Sequence, residues 1–468
     1  MTAAPLLAGV DVGTTHTKVG LWTADGAVVA LQRFSTVDDA ERLVAAVLAA
    51  LAEVVAGTGG RAPVAVGVAS MAETGVALDA AFRPLHPLLR WDDPRAAADA
   101  EALAGQLGRA EVFATTGVSL AAKTPLARWR WLCRTSPDLL RRTRVWANAA
   151  DLVVAALTGE LVTDPTLAGR TGGYRQDGAG YDPDLLAAAG LRPDQLPRVA
   201  AAGEPAGTVT APAARATGLA AGTPVLVAGH DHLVAAYAAG VREPGQVADS
   251  LGTAEAVVTV AASPPPADAV HTGLSWNRST DGAAYCLVSG LPAAGRLLDW
   301  CCAALLDRPG DYAALADLVA TARTRPTGIV VEPYPHGRAA PAPDPDRRLA
   351  LHGVTAAHTR ADLALAVLEG ACYHARWMAE TQATQPIRDL AVLGGPTRSA
   401  AWMATKAAVM PCPVRVVGPA DATCAGAALR AGEVVGLVPS PLPATRVPAA
   451  DGAAYERVYR EFLDKVGG

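Results

Sequence analysis

One pattern occurs twice and limits the fold more than anything else in the chain. Residues Ala8–Trp22 run from an apolar segment through Asp11 and Gly13-Thr14-Thr15 into a second apolar segment. Gln246–Val260 repeat the plan around Gly252-Thr253. Short apolar runs on either side of a glycine turn read as paired strands. The expected fold is therefore α/β, with two like-built halves that each open on a strand, a Gly-Thr turn and a strand.

The rest of the pattern fits that plan. Strands are expected at Ala8–Asp11, Lys18–Thr23, Val28–Gln32, Val64–Ala69 and Pro224–Ala228 in the first half. In the second half they are expected at Gln246–Leu251, Ala256–Val260, Ile329–Glu332, Leu390–Leu393 and Val414–Val417. Helices are expected at Asp38–Ala56, through most of Ala98–Leu157, and at Leu233–Ala239, Arg360–Ala379, from Ser399, and at Thr423–Val434. At 468 residues the chain has room for two domains, with the pattern restarting near Val241. The division is set at residues 1–240 and 241–468.

Composition removes several function classes. A formal net charge of -5 offers no electrostatic footprint for nucleic acid or an anionic membrane. The Leu43–Ala56 segment, interrupted by Glu53, reads as a buried Ala-rich helix and not a membrane span. The first ten residues carry no basic stretch, so no signal peptide is expected. Seven cysteines make no Cys-x-x-Cys pair or zinc spacing, which fits buried thiols in the cytoplasm. Only four lysines (Lys18, Lys123, Lys406, Lys465) stand among 40 basic residues. One of them follows the first glycine turn, where a compact ammonium suits a phosphate differently from a planar guanidinium.

Phosphoryl groups need several backbone N–H donors at short range, and glycine lets the backbone approach without a Cβ in the way. Three turns after strands qualify: Gly13-Thr14-Thr15, Gly252-Thr253 and Gly394-Gly395. There is no Walker A pattern and no Gly-x-Gly-x-x-Gly. Asp11 suits Mg²⁺, which keeps its waters and takes one or two carboxylates with phosphate oxygens. In Gly229-His230-Asp231-His232 the aspartate follows a strand at a helix start, where an ionised carboxylate is favoured and can take a proton from a hydroxyl. A plain helix cap is the alternative for Asp231. The His-x-His spacing lacks a third metal ligand nearby in sequence.

These segments resemble the FGGY carbohydrate kinases of the actin-like and chaperone-like ATPase superfamily. The likeness rests on Asp11-Val-Gly-Thr-Thr-His-Thr-Lys18, Trp91-Asp-Asp-Pro-Arg95, Leu157-Thr-Gly-Glu160, Gly229-His-Asp231, Ser250-Leu-Gly-Thr253, Leu368-Glu-Gly370, Gly394-Gly395 and Gly426-Ala-Ala428, in the family's order. It implies two ribonuclease-H-like domains facing across a cleft that takes ATP and Mg²⁺. It implies Asp231 as the catalytic base and Asp11 as the acid near Mg²⁺. Gly13, Thr14, Thr15, Lys18, Gly252 and Thr253 would meet the phosphates, and Gly394 and Gly395 the nucleoside end. Sugar contacts would come from Glu73, Trp91, Asp92, Asp231 and His232. For Trp91 a core position, and for Asp92 a helix cap, are the alternatives.

The expected activity is ATP-dependent phosphorylation of a small ketose or polyol, with no nucleic-acid or membrane partner and a homodimer left open. A nucleotide-gated interaction protein and a kinase of a non-sugar alcohol are the rival readings. Departures from the family pattern fall at Ala72, Arg338, Leu365 and Pro396.

Overall fold

The structure is a computed structural model that describes residues 4–252, 254–418, 421–449 and 451–467. Thr253 lies outside the described residues. The first sheet contains β1 (Leu6–Val12), β2 (His16–Thr23), β3 (Val28–Ser35), β4 (Ala65–Ser70), β5 (Gly207–Thr208) and β6 (Pro224–His230), in the order β5-β6-β4-β1-β2-β3. The second contains β7 (Gln246–Leu251), β8 (Glu255–Ala261), β9 (Ser275–Arg278), β10 (Tyr285–Leu291), β11 (Asp389–Gly394), β12 (Val414–Val417) and β13 (Ala444–Arg446), in the order β9-β10-β8-β7-β11-β12-β13.

Both sheets share one plan. Three antiparallel strands, β3-β2-β1 or β10-β8-β7, continue into two parallel strands, β4 and β6 or β11 and β12. Strand β1 is buried along its whole length, because helices cover both faces of the sheet at its centre. On one face lies α1 (Ala40–Ala56), which starts where the Asp39 carboxylate accepts the Arg42 N–H. It buries Leu43, Val47, Leu51 and Val54 on one side, so the helix expected to be buried is buried along one face and amphipathic.

The two halves exchange helices. The short α2 (Asp231–Ala238) ends the first half, yet Leu233, Ala235 and Ala236 share a core with Ala248 of β7 and Val258 of β8. Further on, α3 (Arg360–Gln382) and α4 (Ala400–Val409) pack within the second half, and α5 (Ala422–Val434) crosses back onto the first sheet. Glycine permits that approach: a Cβ on Gly67 would lie 1.9 Å from the Ala427 carbonyl oxygen. Between the helices, a Cβ on Gly426 would lie 2.4 Å from the Val234 carbonyl oxygen. The starts of α2 and α5 are thereby brought to the same place.

Three expectations need correction. The stretch expected to be helical contains a strand, Val145–Asn148, paired with Gly75–Leu78; a four-residue buried apolar run has no period that separates strand from helix. Cys133 is exposed, so not all thiols are buried, although all seven cysteines are free. His-x-His does have a third candidate ligand, Asp231 between the two rings: donor atoms of His230, Asp231 and His232 lie within 4.8 Å of one another. No helix among the described residues is long and apolar enough to cross a membrane.

Candidate active site

The position of Asp231 is set by a bulge. Strand β6 follows β4 in parallel register until the register shifts between Val227 and Gly229. Gly229 has φ +117°, and a Cβ there would lie 2.4 Å from Thr166 Oγ1, so no other residue fits without strain. The His230 N–H then donates to Thr166 Oγ1 at 2.8 Å. This bond turns the chain out of the sheet and leaves Asp231 at the first turn of α2. The carboxylate accepts the His232 backbone N–H at 2.8 Å and lies 3.2 Å from His230 Nε2. Burial works to raise its pKa, but the His232 imidazole and the His230 hydrogen bond outweigh that and bring it to about 2. Asp231 is therefore ionised at neutral pH.

Asp11, in β1, faces the same place. Its Oδ2 accepts from Lys18 Nζ at 3.0 Å, while its Oδ1 is buried without a hydrogen-bond partner. Burial raises the Asp11 pKa to about 6 against the pull of Lys18, and the nearby Asp231 charge adds to the rise. Lys18 also lies 3.3 Å from Asp421, the residue just before α5, so one ammonium joins the two halves. The turn between β1 and β2 is held open by Thr36, which donates to the Gly13 carbonyl at 2.7 Å. Gly13 and Thr14 are half-buried and Thr15 is exposed.

The other two glycine turns are equally accessible. Gly252, Gly394 and Gly395 are all exposed. They are neighbours, because Gly394 ends β11 in register with Leu251 of β7. Gly394 has φ +105°, and a Cβ there would lie 1.9 Å from the Leu251 carbonyl oxygen. Its glycine is thus required by the close approach of the two strands.

Glu73 sits in a turn after β4, with φ +55°, within charge range of His230 and His232 on either side of Asp231. The buried Arg170 guanidinium clamps Glu73 Oε1 with two donors, one at 3.0 Å, and Lys123 Nζ stands 3.7 Å away. Burial opposes ionisation of Glu73, but Arg170 and Lys123 prevail and lower its pKa to about 2. Arg128 donates to the Glu73 and Leu89 carbonyls and so fixes the turn. His232, whose pKa burial lowers, faces both Glu73 and Asp231.

Trp91 is 38% exposed, so it is not core. Its Nε1 donates to Thr14 Oγ1 at 2.8 Å, which ties the Glu73 side of the site to the first glycine turn. Asp92 does not cap a helix, and the structure does not bring it to the others. Its carboxylate turns to Arg90 and lines a separate surface cavity of about 470 Å³ with His86, Arg95 and Trp131. Of the departures, Leu365 lies in the second core, and Arg338 donates to backbone carbonyls at Ala342 and Val466.

Sequence reasoning gave no site role to Arg170, Lys123 or Asp421, and considered His230 only as a metal ligand. For Lys123 a signal existed, since it is one of only four lysines. For Arg170 none did; it is one arginine among many, 97 residues from its partner.

Residues 6–238 match the N-terminal domain, and residues 247–433 the C-terminal domain, of the FGGY family of carbohydrate kinases. Xylulose kinase of Streptomyces rubiginosus is 33% identical over 389 residues, 80% of this chain and 76% of that protein. L-fuculokinase of Salmonella typhi is 34% identical over 181 residues, 39% of this chain and 38% of that protein. The crystal structure of xylulose kinase from Rhodospirillum rubrum superposes with a TM-score of 0.88 at 26% identity, covering 99% of this chain and 98% of that one. The chain belongs to the FGGY family of carbohydrate kinases.

Proposed function

We propose that this protein transfers the terminal phosphoryl group of ATP to a hydroxyl of a small sugar, a ketose of the xylulose type or a related polyol. The observation that carries this reading is an ionised Asp231 close enough to Asp11 to raise its pKa, with the Gly13 turn against the Asp11 carboxylate. Asp231 accepts the hydroxyl proton as the sugar oxygen bonds to the terminal phosphorus and the bond to the departing ADP oxygen breaks. Backbone N–H groups of the Gly13-Thr14-Thr15 and Gly252 turns, with Lys18, balance the charge on the transferring group. Gly394 and Gly395 receive the nucleoside end. We divide the chain near residue 240, with sugar held mainly by the first part and nucleotide by the second.

The residues fit Mg²⁺. Asp11 Oδ1 is buried and unpartnered, and the Asp11 and Asp231 charges oppose each other, so a hydrated divalent cation would relieve both. Bound there with ATP, it would neutralise phosphate charge. On the sugar side, Arg170 occupies Glu73 Oε1 and leaves Oε2 to accept substrate hydroxyls. Trp91 offers its apolar face, and His232 a hydrogen bond.

Asp231→Asn is the test. Turnover should fall by about 10²–10⁴-fold, while ATP affinity measured by calorimetry changes little. Wild-type turnover in that variant would remove Asp231 from its role. An ADP-release screen over pentuloses, hexuloses and polyols identifies the acceptor, and stimulation by none of them would refute the reading.

A further inference from the structure

The fully buried Lys406 in α4 reaches two carboxylates with one ammonium. It donates to Asp249 in β7 and to Glu255 in β8, the latter at 2.8 Å. All three side chains have 0% exposure. They are enclosed by the second core, among Leu251, Val257, Cys372, Trp402 and Met403. Such placement is costly, because each charge loses its hydration and only good geometry repays it. Asp249 Oδ1 and Glu255 Oε2 are buried with no partner, so two carboxylates share one lysine.

The location of this cluster gives it meaning. Leu251 pairs with Glu255 and Asp249 with Val257, so Asp249 and Glu255 are diagonal neighbours on one face of the hairpin. Gly252 is the turn between them. Lys406 belongs to α4, which follows the Gly394-Gly395 loop directly. One side chain therefore connects both strands of the second glycine hairpin to the helix behind the third glycine turn. Within the described part of the turn, Gly252 N–H donates to the Ala254 carbonyl at 2.8 Å, and the Gly252 carbonyl accepts from Gly295 N–H at 3.0 Å.

We propose that Lys406, acting through Asp249 and Glu255, is a positioning residue that sets the Gly252 turn against the Gly394-Gly395 loop and thereby sets ATP affinity. The proposal rests on the reading of these turns as the nucleotide cradle. Lysine suits the role because its compact ammonium can stand between two carboxylates in a space that a planar fork would not fit. A wholly apolar core would be more stable but would not tie the hairpin to one helix. Polar specificity obtained at some expense of stability is a known use of buried ion clusters.

Three variants test it, each assayed for KM of Mg-ATP, KM of the sugar, kcat and thermal midpoint. In Lys406→Met the ATP KM should rise by about tenfold with the sugar KM within about twofold, a split that general loosening does not produce. That variant leaves two unpaired buried carboxylates and could fail to fold. The triple variant Asp249→Asn, Glu255→Gln, Lys406→Met has none, so it should recover the thermal midpoint while its ATP KM stays raised by about fivefold or more. A wild-type ATP KM in the triple variant overturns the proposal, since the three groups would then serve only one another.

Gly252→Ala separates this from the underlying reading. A Cβ there meets nothing nearer than the Ala254 carbonyl oxygen at 3.5 Å, so the fold accepts it, while it adds bulk at the turn proposed to meet the phosphates. If Gly252→Ala leaves the ATP KM unchanged, the nucleotide-cradle reading fails. If it raises the KM and the triple variant does not, only the positioning role of Lys406 fails.

Discussion

The two glycine hairpins share one backbone plan and use charge in opposite ways. In the first, Asp11 pairs with Lys18, whose side chain keeps 20% exposure, and Asp421 reaches the same ammonium from the other half. In the second, Asp249, Glu255 and Lys406 are sealed in the core with 0% exposure. Charges that water can reach are free to exchange partners when an ion or phosphate arrives. Charges under a packed core exchange with nothing and can only hold geometry. The two halves thus share the turn but place its charges differently, part-exposed in the first and sealed in the second.

The sharpest way to break this contrast is to neutralise the matched aspartates. Asp11→Asn should lower kcat by about 10²–10³-fold with little change in thermal midpoint. Asp249→Asn should change kcat by less than about fivefold and act on the thermal midpoint and the ATP KM. Equal kinetic losses from the two would show that the hairpins are not divided in this way.

A difference in pH response is expected next. The Asp11 carboxyl, raised to about 6 in the free protein, is ionised only above that value, so kcat/KM for Mg-ATP should fall as pH drops below about 6. Glu255 acts on stability instead. Burial first, and then the Asp249 charge, raise its pKa to about 8, so the folded state holds a proton that the unfolded chain gives up near 4.5. The sign follows from linkage: stability falls as pH rises from about 4.5 towards 8 and is then level. Thermal midpoints across that range should show the decline, and Glu255→Gln should flatten it.

Smaller effects sharpen the picture. Gly67→Ala places a Cβ 1.9 Å from a carbonyl oxygen of α5 and should cost about 1–3 kcal/mol or more in urea unfolding. Gly252→Ala should cost under about 0.5 kcal/mol by the same measure. Trp91→Phe removes one hydrogen bond to Thr14 and should reduce kcat/KM by about two- to fivefold. A larger loss would mean that Trp91 does more than orient the first turn.

Much of the fold could be read from local signals. Glycine turns between apolar runs and the helix start at Ser399 lie where side-chain period and capping chemistry place them, and the first helix starts one residue beyond the expected Asp38, capped by Asp39. The short buried strand Val145–Asn148 could not be read, since its pairing with Gly75–Leu78 joins segments some seventy residues apart. Asp92 was drawn towards the site by its neighbour Trp91, but its side chain follows Arg90 instead.

The sequence by itself determined the alternation of strands and helices, the duplicated hairpins, and the residue types that phosphoryl transfer requires. These follow from backbone sterics and polarity over a few neighbouring positions. Only the tertiary structure decided which charges meet: Arg170 with Glu73, Lys18 with Asp421, and Lys406 with Asp249 and Glu255. The Lys18–Asp421 pair depends on α5 crossing between the halves, and the Lys406 cluster on the register of β7 and β8. An ionic partner depends on distance in space and on loss of water, and neither is written along the chain.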